Sequence, residues 1–75
     1  MTIERITVNP LIMGGKPCIR GTRVTVGVIL GLLSSGRSRE EILDAYPYLA
    51  AADILAALEY AAWRAEEVEL ELATA

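Results

Sequence analysis

One cysteine and no histidine in 75 residues leave this chain without an internal disulfide or a histidine-based zinc site to hold it together. A core of this size is marginal without such aids, because a small domain buries a modest share of its surface. What remains is close helix packing and association with other subunits, so a homodimer or a tight complex is expected. Hydrophobic residues make up 53% of the chain, which argues against disorder. One domain covering residues 1–75 is expected, since there is no room for a second.

The longest apolar run, Val24 to Leu33, is broken by Thr25, Gly27 and Gly31 and falls well short of the roughly 20 residues of a membrane span. The N-terminus lacks a basic segment followed by an apolar one. With a lone cysteine, this points to a cytoplasmic protein with no membrane association.

The net charge of −3 conceals a division along the chain. Residues 5–39 carry six cations (Arg5, Lys16, Arg20, Arg23, Arg37, Arg39) and no acid, whereas residues 40–75 carry nine acids and one cation, Arg64. Such asymmetry suggests a basic face for an anionic partner and an acidic face for another. The plainer reading is that both halves solvate a surface.

Ile6-Thr7-Val8 alternates as a short edge strand and Asn9-Pro10 ends it. The stretch GGKPCIRGTRVTV, residues 14–26, is rich in turn residues, so residues 4–24 read as an arm of extended pieces and turns, with Cys18 and Ile19 extended. Thr25 then caps a first helix closed by Gly36. That helix is apolar on nearly every side and is expected to be the buried hub. Ser38-Arg-Glu-Glu41 is a capping box opening a second helix to about Ala45, which the Tyr46-Pro47 pair ends. A third helix begins near Ala51, where Ile54, Leu58, Ala61, Ala65, Val68 and Leu72 recur at seven-residue spacing. Glu67 to Leu72 also alternates as a strand would, so the core spans residues 25–65 and the tail, 66–75, stays open between helix and strand.

Chemistry is thin. Without histidine there is no imidazole base and no histidine metal ligand. Cys18 has no base partner and reads as a half-buried packing residue. Gly14-Gly15-Lys16 lacks the spacing of a phosphate-binding loop. No catalytic residue, metal or cofactor is assigned, and the chain is not expected to be an enzyme.

Three helices with a corner at YPYLA match a helix-turn-helix in size and punctuation. The last helix, however, offers Asp53 and Glu59 toward phosphates and Arg64 as its cation, which is poor electrostatics for a DNA groove. Nucleic-acid contacts are therefore placed on the arm (Lys16, Arg20, Arg23) and the first inter-helix corner (Arg37, Arg39). Trp63, Val68, Leu70 and Leu72 form the candidate partner face. Their alternatives are clamping another protein, adding a strand to it, or continuing a coiled-coil-like seam in a homodimer.

From Asn9 to Ala62 the residues resemble the domain-of-unknown-function 433 family, with similarity over roughly residues 6–62. The signature is Gly-Gly-Lys-Pro (14–17), Gly-Thr-Arg (21–23), Gly36-x-Ser38 and Tyr46-Pro47-x-Leu49. The resemblance implies a mainly α fold, a three-helix homeodomain-like helix-turn-helix bundle behind a short N-terminal β/turn arm. It also implies an antitoxin of VapBC type that neutralises a PIN-like ribonuclease toxin and represses its own operator DNA. The alternative is an oligomeric interaction or scaffold module without DNA binding. One position departs from the family: Ala50 stands where Thr or Ser is usual, and the lost cap, about 1 kcal/mol, is expected to fray the third helix.

Overall fold

The computed structural model describes residues 3–67. A two-stranded antiparallel ribbon precedes three helices. The elements are β1 (Ile6–Val8), β2 (Pro17–Ile19), α1 (Val26–Ser34), α2 (Arg39–Ala45) and α3 (Ala51–Glu67). The expected mainly α, three-helix architecture with a short N-terminal arm is what the chain adopts. None of the described helices is long and apolar enough to cross a membrane.

The ribbon pairs Ile6 with Ile19, Thr7 with Cys18 and Val8 with Pro17. Its connection turns through a short 3-10 segment at Met13–Gly15. There Met13, Gly14 and Gly15 follow one another at φ 49°, 67° and 85°, a left-handed run that glycine adopts without penalty and most residues resist. The Asn9 side chain opens the loop by accepting the Leu11 N–H at 2.9 Å, the local bond that makes asparagine a turn former. Cys18 is buried rather than half-buried, and its Sγ donates to the Lys16 carbonyl at 3.4 Å.

The caps form where local chemistry places them. Thr25 accepts the Val28 N–H at 3.0 Å. At the far end of α1, the Gly36 N–H reaches the Leu33 carbonyl and the Arg37 N–H the Leu32 carbonyl, with Gly36 at φ 94°. That is the paired bonding by which a left-handed glycine closes a helix. At α2 the Ser38 side chain and the Glu41 side chain exchange bonds with each other's backbone N–H groups.

Each helix contributes one isoleucine to the centre: Ile29, Ile42 and Ile54, all essentially inaccessible. Ile19, Val24, Val26, Leu49 and Ala57 complete the core. Two sequence expectations fail here. Helix α1 is not buried all round, because it buries Val26 and Ile29 and leaves Val28 40% exposed; a uniformly apolar helix carries no mark of which side faces inward. On α3 the inward face runs through Asp53, Ile54, Ala57 and Tyr60, while Leu58 of the seven-residue stripe is 42% exposed and Ala65 is exposed. A carboxylate and an alanine hold inward positions that a hydrophobicity pattern assigns to leucine.

Asp53 explains why α3 needs no hydroxyl at Ala50. Its Oδ2 accepts the Ala50 N–H at 2.8 Å, the acid's half of a capping box. Its Oδ1 accepts from Arg5 at 2.9 Å, tying the start of β1 to the third helix. The expected fraying is countered by this carboxylate. Replacing Asp53 with alanine is expected to cost about 1–3 kcal/mol, since a cap and a charge-assisted bond go together. Ala50→Ser, which supplies the missing half of the box, is expected to add about 0.5–1 kcal/mol. Urea unfolding of both variants measures these shifts.

Candidate nucleic-acid interface and partner face

The arm displays its cations through one tight turn. The Thr22 N–H bonds the Ile19 carbonyl at 3.0 Å with Gly21 at φ 77°, the geometry of a turn that demands glycine at its third position. The Thr22 hydroxyl donates to the same carbonyl at 2.8 Å and accepts the Val24 N–H at 3.0 Å. Gly21-Thr22 thus forms a small rigid corner with Arg20 before it and Arg23 after it, both exposed. The adjoining Ile19 and Val24 are pinned in the core, so the guanidinium groups start from a fixed base.

The five predicted nucleic-acid residues are all exposed, but they do not share one concavity. Arg20 lines a hollow of about 320 Å³ with Arg5, Thr22 and Tyr48. Lys16 borders a different groove, between α1 and α3. Arg37 lies beside α2 and pairs with Glu41 at 3.5 Å. Arg23 and Arg39 stand on open surface. Lys16, Arg20 and Arg23 have no acidic partner among the described residues.

Two members of the Arg20 hollow were not legible from sequence. Arg5 reads as one cation among six, and its place beside Arg20 follows from the backbone bond of the Arg20 N–H to the Arg5 carbonyl at 2.8 Å. Tyr48 carries no assigned role in the sequence beyond the YPYLA corner; it is 64% exposed and meets Tyr46 edge-on at 6.3 Å between ring centroids.

Helix α3, the recognition-helix candidate of the sequence, lacks the chemistry for that role. Asp53, expected to face phosphates, is turned inward to Arg5 and the Ala50 N–H. The outward side presents Leu55, Leu58, Glu59 and Ala62, a surface with nothing to neutralise phosphate. Of the predicted partner residues, Trp63 is half-buried, packed edge-on against Tyr60 at 5.7 Å, with the Arg64 guanidinium 5.9 Å from its ring centre. Val68, Leu70 and Leu72 lie outside the described residues.

Comparison with known proteins fits this frame. The sequence profile described as "Protein of unknown function (DUF433)" matches residues 6–61. This chain belongs to the DUF433 family. A solved DUF433 member from Anabaena variabilis superposes with a TM-score of 0.79 at 33% identity, over 84% of this chain and 62% of that one. An uncharacterized protein of Sinorhizobium fredii, y4eO, is 43% identical over 58 residues, which are 77% of this chain and 26% of that protein. The chain thus spans about a quarter of one relative and under two thirds of the other. The Gly14–Pro17, Gly21–Arg23, Gly36/Ser38 and Pro47/Leu49 positions all fall inside the DUF433 match, and the turns and caps described above are what those residues build.

At the corner before α2, the Ser38 backbone N–H, helped by the Ser38 hydroxyl and to a lesser degree by Arg37, holds the Glu41 carboxyl below its ordinary range. Folding lowers this pKa, so the cap's contribution is present above the unfolded carboxylate's range and fades as pH falls through the lowered value. Ser38→Ala removes the hydroxyl and keeps the backbone N–H, so it is expected to raise the Glu41 carboxyl only part of the way to its ordinary range, and Arg37→Ala to raise it less. An NMR titration of the Glu41 carboxyl carbon distinguishes the two.

Proposed function

We propose that this DUF433 protein is the antitoxin of a type II toxin–antitoxin pair. In this reading it acts as a cytoplasmic homodimer that neutralises a PIN-like ribonuclease and binds its own operator. The observation that carries the nucleic-acid half is the arm, where Arg20 and Arg23 at its turn and Lys16 ahead of it stand exposed, without an acidic partner among the described residues, on a chain of net charge −3. Unpaired cations fixed at one end of an acidic protein are placed for phosphates, and acids elsewhere keep non-specific binding down. Contacts of this kind position the protein on the backbone and carry little sequence information. The inward turn of Asp53 removes one repulsive charge from the DNA side, but α3 still lacks cations for the groove, so the contacts fall to the arm and the Arg37/Arg39 corner, mainly at phosphates.

The partner half is supported by the acidic excess of residues 40–75 and the apolar Val68, Leu70 and Leu72 within it. A basic nuclease cleft is complementary to such a segment. The reading assigns no catalytic residue and no cofactor.

The Arg20→Ala/Arg23→Ala double variant is expected to lose affinity for the upstream region of its own gene by a similar factor on every sequence, and to flatten the salt dependence by about two ions released. Fluorescence anisotropy across a salt series measures both. Unchanged affinity and slope remove the arm from the interface. Absence of any binding by the native chain favours the scaffold reading.

A further inference from the structure

Three tight turns meet at the hollow that Arg20 lines, and each brings one exposed side chain to it. The Ile6 N–H bonds the Ile3 carbonyl at 3.0 Å across Glu4-Arg5, and the Thr22 N–H bonds the Ile19 carbonyl across Arg20-Gly21. The Leu49 N–H bonds the Tyr46 carbonyl at 2.9 Å across Pro47-Tyr48. Glu4, Arg20 and Tyr48, one from each turn, line the same space of about 320 Å³. The buried Ile19 and Leu49 also line it, so two of the turns are anchored in the core beside the residues they present.

The charges define what such a hollow suits. Arg5 and Asp53 neutralise each other at 2.9 Å. Glu4 and Arg20 add one charge of each sign, and neither has an ion-pair partner among the described residues. With no surplus of positive charge, the hollow is poorly made for a bare phosphate. It suits a molecule that is anionic at one end and carries N–H donors on a flat ring at the other. Tyr48 supplies the platform for that ring. It is 64% exposed, Tyr46 stands edge-on to it, and its backbone is held between Pro47 and the buried Leu49. An exposed aromatic ring on a fixed base is what unpaired bases stack on.

We propose that this hollow binds one unpaired nucleotide of a single-stranded nucleic acid. The base stacks on Tyr48, its phosphate meets the Arg20 guanidinium, and the Glu4 carboxylate accepts from an amino group on the base edge. The volume lies at the low end for ligand sites, room for a single base. Arg23, exposed just past the same turn and outside the hollow, is placed for the next phosphate, which favours a strand over a free nucleotide. The assignment rests on the nucleic-acid half of the reading above and narrows it. A base inside a duplex is paired and stacked on both faces and offers none to Tyr48.

Fluorescence anisotropy with a short labelled oligo-dC tests this on the full chain. Affinity is expected to fall about tenfold in Tyr48→Ala and to be kept in Tyr48→Phe, because stacking needs the ring and not the hydroxyl. Tyr48 is mostly in solvent, so circular dichroism of Tyr48→Ala should match that of the native chain. Affinity for the upstream duplex is expected to fall in Arg20→Ala and to stay unchanged in Tyr48→Ala. Oligo-dC should bind several-fold more tightly than oligo-dT, since cytosine carries an amino group and thymine does not, and Glu4→Ala should remove that preference. Oligo-dC affinity indifferent to Tyr48→Ala, equal affinity for the two oligonucleotides, or free cytidine monophosphate binding as well as the strand overturns the proposal. A chain that binds the duplex and not oligo-dC overturns it and leaves the duplex reading standing. A chain that binds neither overturns both.

Discussion

The Asp53 carboxylate is the junction on which the arrangement of arm and helices depends. A buried carboxylate is costly unless both oxygens are satisfied. Here one oxygen takes the Ala50 N–H and the other takes Arg5, whose side chain remains half in solvent while that of Asp53 is 10% exposed. The two bonds do different things. The first starts α3 at Ala51 without a hydroxyl cap. The second fixes the beginning of β1 over the start of α3, and the hairpin follows. Once β1 is placed, its pairing with β2 sets Ile19 into the core, and Ile19 in turn anchors the turn that presents Arg20.

That sequence of dependence explains how a fold with three-residue strands holds a cationic corner in place. The ribbon has too few ladder bonds to be stable alone. It is held from three sides: by Arg5 to α3, by Ile19 in the helical core, and by the Cys18–Thr25 bridge to the cap of α1. Rigidity at Gly21-Thr22 is thus inherited from the helices. Exposed cations on a fixed base lose less freedom on meeting an anion than cations on a loose loop.

Much of the local structure was legible. Thr25, Gly36 and the Ser38/Glu41 pair act through bonds between residues three to five apart, so each signal lies complete in a short stretch of chain. The punctuation of residues 14–23 likewise marks turns that glycine makes possible. The faces of the helices were less legible. In α1 every position but the glycines and the last serine is apolar, and such a pattern has no direction. In α3 the seven-residue stripe holds at Ile54 and fails at Leu58 and Ala65, which the fold leaves exposed, because Ala57 and Asp53 fill inner positions. Alanine gives a weak hydrophobic signal, and aspartate gives a contrary one. Asp53 was read as facing phosphates because its inner partner, Arg5, lies 48 residues away.

Composition and local order by themselves determined that this chain would be a small, mainly helical protein with a basic front and an acidic back. They also determined where each helix begins and the first two end. These properties rest on short-range hydrogen bonding and on charge counts, which need no knowledge of the fold. Only the tertiary structure decided which charges are used up within the molecule and which stay available. Arg5 and Asp53 neutralise each other at the base of the arm, and Arg37 leans on Glu41. Lys16, Arg20 and Arg23 are left exposed, with no acid of the described residues paired to them.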